Sequence, residues 1–241
     1  MEQDYYSRPN REREQRLETR SSVQTYEKNK YFGLIFAYAG IGFLISAIVA
    51  LLTGFLVARF DTSGELYYGL IIGSSVIQIV LIFYISFVVF RRQKRMVVPF
   101  VIYAIVMGVL LSSILFILDW YTIGVTLALT CLVFGIMAAV GYFSKANLSS
   151  LVLVGLGLLV GSIFLSLFNF FIGSETITWI VTFVSFGAIM LITAFDVWRI
   201  RREIESGIMD KQRALFHAFS IYIDFIYIFV RIAYIIARSR R

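Results

Sequence analysis

Seven long stretches of almost uninterrupted apolar residues alternate with short polar joints along the chain. Each stretch has about 20 residues, the length an α-helix needs to cross the hydrocarbon core of a bilayer. The stretches are Leu34–Ala58, Tyr67–Phe90, Val97–Leu118, Tyr121–Phe143, Ser150–Ile172, Thr176–Trp198 and Ala214–Ala237. They are continuous rather than alternating and too long for barrel strands. We therefore predict an all-α integral membrane protein with seven transmembrane helices.

Composition agrees with this class. Of the 241 residues, 59% are hydrophobic and only 15% are charged, against about a quarter charged in a soluble domain. No polar linker separates the stretches, so we predict one transmembrane domain over residues 31–241. The net charge of +7 does not indicate nucleic-acid binding, because the basic residues cluster at the ends of the apolar stretches, where anionic headgroups lie. The lone Cys131 excludes an intramolecular disulfide.

The first 30 residues are polar and carry seven Lys or Arg and six Asp or Glu. We predict a cytoplasmic tail over residues 1–30 that is largely disordered, with a polar surface helix over Arg11–Thr25 as the alternative. The first apolar stretch begins near Tyr31 and is too long for the core of a signal peptide, so a cleaved leader is not expected.

The charges of the joints predict the orientation. Basic residues fill the second, fourth and sixth joints, whereas the first, third and fifth hold acids and the single base Arg59. The basic set is Arg91, Arg92, Lys94, Arg95, Lys145, Arg199, Arg201, Arg202, Lys211 and Arg213; the acidic set is Asp61, Glu65, Asp119 and Glu175. Positive residues stay in the cytoplasm, so the N-terminus is expected inside. Seven crossings then put the basic end Arg238–Arg241 outside, against the rule; the alternative is a last segment that re-enters without crossing.

Several kinds of site are absent from the sequence. His217 is the only histidine, which excludes sites built from several histidine ligands, and no lysine inside a stretch could hold retinal. Neither a Gly-x-Ser-x-Gly elbow nor a Gly-x-x-x-x-Gly-Lys phosphate loop occurs. Nothing in the sequence supports an enzyme or a bound cofactor.

Two aspartates lie inside apolar sequence, Asp196 in the sixth stretch and Asp224 in the seventh. A carboxylate in hydrocarbon is unfavourable and usually has a partner or a function. The two helices are joined by a basic turn, and the depths of the two side chains match if the seventh helix begins near Asp210. Two carboxylates in contact cannot both ionise easily and would titrate as a unit; deprotonated, they could attract Ca²⁺. The alternative is two separate aspartates, each satisfied by its own Ser, Tyr or Arg neighbour.

Other polar residues have more ordinary interpretations. His217 is expected to anchor the helix at the interface, with a pH-responsive role as the alternative. Arg231 lies two turns beyond Asp224 and either pairs with a carboxylate or extends to the outer interface. Gln78 is expected to form a hydrogen bond between helices, and the Gly157–Gly161 pair to allow close helix packing, with Gly155 adding to the small residues of the same helix.

Four segments resemble signatures of the Bax inhibitor family, the transmembrane Bax-inhibitor-motif proteins. They are Gly-Tyr-Phe-Ser-Lys-Ala-Asn-Leu-Ser-Ser from Gly141, with Thr130 upstream; Gly161–Asn169; Leu-Ile-Thr-Ala-Phe-Asp ending at Asp196; and Ser-Ile-Tyr-Ile-Asp-Phe-Ile around Asp224. The likeness runs in order from about Tyr31 to Ala237 and is most specific in the last four stretches. It implies seven helices with the last one central, and a pH-sensitive calcium leak gated by a pair of aspartates that map onto Asp196 and Asp224. Family members are also linked to survival under stress and, in bacteria, to the regulation of a membrane protease.

Some positions depart from the family pattern. Gln78 stands where many bacterial relatives have a Glu that lines the cation path, and a neutral amide attracts cations less. The arginine that latches an aspartate in relatives has only the shifted neighbours Arg91 and Arg92. Asn147 and Tyr227 replace an acid and an asparagine of the pattern.

The resemblance predicts a calcium leak channel of the inner membrane whose pH response resides in Asp196 and Asp224, with Ca²⁺ as the permeant ion and Gln78, Arg91, Arg92 and Arg231 as pore or latch candidates. The alternative is a non-conducting regulator that binds a membrane protease or another membrane protein, which Gln78 favours. A proton-coupled transporter would use the same two carboxylates as proton carriers.

Overall fold

The computed structural model describes residues 2–60, 64–85 and 96–240. Within these ranges it contains seven α-helices and no strand. They are α1 Glu2–Phe60, α2 Glu65–Tyr84, α3 Val97–Ile117, α4 Trp120–Phe143, α5 Ser149–Ile172, α6 Glu175–Glu205 and α7 Lys211–Ser239. Each helix contains a stretch long and apolar enough to cross a membrane. The predicted all-α, seven-span fold is therefore confirmed.

The last helix occupies the centre of the bundle, as predicted. α7 packs against α1, α3, α4 and α6, while α5 lies outside against α6 and α2 lies against α3. Tyr222, in the middle of α7, is completely buried and contacts the rings of Phe43 from α1 and Phe100 and Tyr103 from α3. Because α7 is enclosed, any polar group on it must find its partners inside the protein.

Side chains at the joints begin the helices where the sequence predicts. Asp119 starts α4 by accepting from the backbone N–H of Thr122, and Asp210 starts α7 by accepting from that of Gln212, both at 3.0 Å. Asn147 accepts from the backbone N–H of Ser149, the first residue of α5, at 2.9 Å. These oxygens satisfy N–H groups that have no partner within the helix. α7 therefore begins at the position required for Asp196 and Asp224 to lie at one depth.

The limits of two helices differ clearly from the sequence prediction. α1 continues from the first apolar stretch back to Glu2, so the prediction of a largely disordered tail is wrong; the Glu, Gln and Arg residues of this segment are good helix formers. α6 runs two turns beyond Trp198, to Glu205. The predicted end of the second span at Phe90 lies outside the described residues.

The close helix contacts lie at other glycines than the predicted pair. A Cβ atom on Gly157 or Gly161 would have no neighbour within 4 Å, so the packing role predicted for them is wrong. A Cβ on Gly155 would meet Ile192 of α6 at 2.9 Å, and one on Gly141 would lie 2.1 Å from the carbonyl oxygen of Ala194. α4 and α5 therefore both touch the backbone of α6, near the turn that carries Asp196.

Candidate functional site

Asp196 and Asp224 lie on adjacent antiparallel helices, each opposite a hydroxyl residue of the other helix. The hydroxyl of Ser220, one turn before Asp224 on α7, donates a hydrogen bond to Oδ2 of Asp196. The hydroxyl of Thr193, one turn before Asp196 on α6, lies beside the carboxyl group of Asp224. The charge of Asp196 acts directly on Asp224, so the two carboxyl groups belong to one site.

The carboxyl group of Asp224 is incompletely satisfied. Asp224 is only 3% exposed, and its Oδ2 atom has no hydrogen-bond partner among the described residues. The Thr193 hydroxyl donates to the carbonyl of Ile189 at 2.9 Å, which leaves only its lone pairs for Asp224. No hydrogen bond links the two carboxyl groups within the described ranges. A buried carboxylate oxygen without a donor needs a compensating partner, so Oδ2 is the atom at which a proton or a cation would bind.

A second polar group lies between α2, α3 and α7. Gln78 is 6% exposed, and its side-chain nitrogen has no hydrogen-bond acceptor among the described residues. The hydroxyl of Tyr103 is also buried without a partner; Gln78 and Tyr227 lie beside it, yet neither completes a hydrogen bond of normal geometry. Gln78 lies between helices, but its amide nitrogen is unsatisfied, so the interhelical hydrogen bond predicted for it stays a prediction.

One face of α7 carries polar side chains along its whole length. We call this set the polar stripe; its spacing alternates between four and three residues, which keeps it on one side of a helix. Its members are Arg213, His217, Ser220, Asp224, Tyr227, Arg231, Tyr234 and Arg238. Five of its members face polar residues of α6, namely Glu203, Asp196, Thr193 and Glu175. Of these residues, only Asp224 and Arg231 are predicted from the sequence to share a face, although the 3.5-residue period is visible there.

A network of charges surrounds Glu203 at the end of the bundle where α6 meets α7. Its carboxylate lies 2.9 Å from Nε2 of His217, 3.1 Å from Arg199 and 3.3 Å from Arg213. His217 is only 4% exposed, so its predicted role as an interfacial anchor is wrong. The imidazole instead joins α7 to α6, one turn before Ser220.

The opposite end of the bundle carries two further ion pairs. Arg238 lies 3.1 Å from Glu175, and Arg240 lies 2.9 Å from Asp119. Hydrogen bonds from Thr122, and after them one from Arg240, lower the pKa of Asp119 to about 2. The basic end of α7 therefore lies beside the acidic joints, which supports seven crossings and explains how arginines are tolerated there.

A cavity of about 490 Å³, which we call the vestibule, opens at this same end and is lined by residues that include Glu175, Trp179, Tyr234 and Arg238. Arg231 lies one turn deeper on the polar stripe and is half-buried beside Tyr227 and Tyr234. It has no ion pair among the described residues.

The predicted roles of Arg91 and Arg92 and the predicted attraction of Ca²⁺ remain predictions. Arg91 and Arg92 lie outside the described residues. No group of three or more His, Cys, Asp or Glu side chains suited to a metal ion occurs in the described ranges. Asp196 and Asp224, with the hydroxyl groups of Ser220 and Thr193, offer fewer oxygens than the six to eight that Ca²⁺ takes in a stable site. A cation there would be bound only weakly.

The fold and its polar interior define a multi-pass membrane protein with a buried acidic site between its last two helices. A sequence profile described as Inhibitor of apoptosis-promoting Bax1 matches residues 28–241. The chain therefore belongs to the Bax inhibitor-1 family, which confirms the resemblance noted in its motifs.

Bacterial membrane proteins resemble the chain over almost its full length. The inner membrane protein YbhL of Escherichia coli K12 is 25% identical over 233 residues, which cover 93% of this chain and 96% of YbhL. The uncharacterized membrane protein SpyM3_0260 of Streptococcus pyogenes serotype M3 is 27% identical over 218 residues, or 88% of this chain and 93% of that protein. The uncharacterized protein YrjE of Lactococcus lactis is 27% identical over 209 residues, which cover 84% and 88% of the two chains.

Proposed function

We propose that the protein is a calcium leak channel of the bacterial inner membrane whose opening depends on pH through Asp196 and Asp224. The N-terminus lies in the cytoplasm. The observation that carries this proposal is the buried Oδ2 of Asp224, which has no partner although it lies next to a second carboxyl group. Proton binding at this site changes the charge between α6 and α7, and thereby the attraction between the two helices.

The polar stripe supports a route for ions along α7. The stripe leads from the vestibule past Arg231 and Tyr227 to Asp224. It then continues past Ser220 to the charged network around Glu203. Ionisable residues inside a bundle commonly mark the path of an ion, because they have no favourable place in hydrocarbon. The carboxyl oxygens beside the polar stripe are ligands that Ca²⁺ prefers.

The test is calcium flux into liposomes that contain the purified protein, measured between pH 5 and pH 8. We expect flux through the wild type to change with pH by up to about tenfold per unit, the limit for control by one proton. Asp196→Asn and Asp224→Asn should each flatten this dependence, because neither amide can exchange the proton. Asp119→Asn is the matched control outside the bundle and should retain the wild-type profile. A profile that is unchanged in both buried variants would refute the assignment.

A second candidate function is that of a non-conducting regulator that binds a membrane protease or another membrane protein. Gln78 favours it, because this buried side chain adds no negative charge beside Tyr103 and Tyr227. Wild-type protein that passes no calcium, together with flux through Gln78→Glu, would support the regulator. Equal flux through the wild type and Gln78→Glu would argue against it.

A further inference from the structure

A lateral crevice separates α1 and α3 from α4 on one side of the bundle, and α7 forms its floor. It has a volume of about 350 Å³. One end of the crevice lies beside Trp120, next to a polar joint. Ala47 and Leu115 line one wall, Leu127 the other, and Phe225 and Phe229 the floor. The α1 wall extends from Phe43 to Leu51, about 12 Å along the helix axis.

Water is a poor occupant of this crevice. Its lining is apolar except for Ser46, and the hydroxyl of Ser46 already bonds to the hydroxyl of Tyr222 at 2.6 Å and to the carbonyl of Ala104 at 2.8 Å. A bound water molecule needs two or more polar partners, and none is free here. An empty space, in turn, would forfeit the dispersion contacts of its walls. Because the helices that form the crevice cross the membrane, the apolar material beside it is the hydrocarbon of lipid chains.

The end of the crevice at Trp120 matches the polar part of a lipid. Trp120 begins α4 and is 71% exposed, the position of a tryptophan at the level of the headgroups. The preceding residue, Asp119, is paired with Arg240 at 2.9 Å. A guanidinium group is suited to bind phosphate, and that of Arg240 contacts the residue that precedes Trp120.

We propose that the lateral crevice binds one acyl chain of a phospholipid whose phosphate contacts Arg240. The bound lipid fills the space between α4 and the α1–α3 pair and links them through hydrocarbon contacts. The lateral crevice lies on the opposite side of α7 from the polar stripe. The two also differ in chemistry, because the crevice takes an apolar ligand from the bilayer. It is independent of whether the protein conducts calcium.

The test measures phospholipid that remains bound to the detergent-purified protein by native mass spectrometry. The probe is phosphatidylethanolamine added at a fixed ratio. Ala47→Phe places a ring in the crevice and should reduce retention by about tenfold, equivalent to roughly 1.4 kcal/mol. Ala128→Phe is the matched control, because Ala128 is an exposed residue of α4 that does not line the crevice. Equal retention by both variants would overturn the proposal.

The role of Arg240 is tested separately. Arg240→Gln should reduce retention of the phospholipid, whereas Lys145→Gln, at an exposed residue in the α4–α5 joint, should not. A phospholipid with a photoreactive group on its acyl chain keeps the proposal testable if Ala47→Phe fails to fold. Adducts in the wild type should concentrate on residues 43–51 and 111–115. Adducts spread evenly over these segments and the exposed face of α5 would contradict a specific site.

Discussion

Arg231 places a positive charge on the polar stripe two turns from Asp224. Burial of a guanidinium group without a carboxylate is unfavourable, and within the described residues no acid neutralises it. Two tyrosines flank it instead, Tyr227 and Tyr234. In the proposed channel, a fixed positive charge at this depth would oppose the passage of Ca²⁺, and Arg231 would limit flux from the end of the vestibule.

We expect Arg231→Gln to increase calcium flux by about tenfold or more, since charges a few ångströms apart interact by more than 1 kcal/mol even near a protein surface. Arg231→Lys keeps the charge and is the matched control, with flux close to that of the wild type. Liposome flux at one pH measures the difference. The same flux in the Gln variant as in the wild type would show that the charge of Arg231 does not control conduction.

The two aspartates could be found from the sequence, but their partners could not. An acid within an apolar stretch is rare enough to identify Asp196 and Asp224 at once. Ser220 and Thr193 have no such signal, because serine and threonine are common in membrane helices. The burial of His217 could not be predicted from its place near the basic joint, because it depends on the two extra turns of α6 that bring Glu203 alongside it.

At the level of helices, the closest glycine contact among the described residues joins α4 to α6. Gly141 on α4 lies against Ala194, so the signature segment of α4 touches the motif that contains Asp196. Arg201 extends this contact by donating from its guanidinium group to the carbonyl oxygens of Tyr142 and Ser144, which lack partners at the end of α4. α4 and α6 therefore hold the turn with Asp196 in a fixed position.

Gly141→Ala should destabilise the protein by roughly 1–3 kcal/mol, the usual effect of an overpacked contact, because its Cβ would collide with backbone rather than with a movable side chain. Gly157→Ala is the matched control on α5 and should not destabilise the protein, since its Cβ meets nothing within 4 Å and alanine favours the helix over glycine. Thermal unfolding in detergent measures both. Equal unfolding temperatures for the two variants would contradict the close α4–α6 contact.

The small-residue pattern predicted a contact of this kind but at the wrong place. Gly157 and Gly161 have the favoured spacing, yet that face of α5 is open; the contact uses Gly155, two residues earlier. Spacing identifies a face of a helix that permits close packing. Which face meets a neighbour depends on the rotation of the helix about its own axis. The sequence of a helix that is hydrophobic on all sides does not determine this rotation.

Across the whole molecule, charge is divided between the two ends. One end holds the charged network of Glu203, Arg199, Arg213 and His217. The other end holds Asp119, Glu175 and the end of α7. The positive-inside rule applied to the joints predicted this division, and only the basic end of α7 conflicted with it. That conflict is resolved because Arg238 and Arg240 pair with acids of the joints.

The pair at Asp119 predicts how one end responds to acid. A folded-state pKa of about 2, below the ordinary 3.8, contributes stability that is complete above about pH 4 and is lost as the pH falls towards 2. Asp119→Asn should therefore unfold at a lower temperature than the wild type at neutral pH, and the difference should disappear near pH 2. A difference that persists undiminished at pH 2 would exclude ionisation of Asp119 as its source.

The polar stripe also bears on how the chain enters the membrane during synthesis. α7 is the last helix to emerge, and its most apolar segment is less apolar than those of α3 and α5. Each charged group on its stripe would face lipid unless α6 already occupied the neighbouring position. The short link from Ser206 to Asp210, with Gly207 at a φ of 77°, allows α6 and α7 to leave the translocon as one hairpin, with the acids and bases of the two helices already matched.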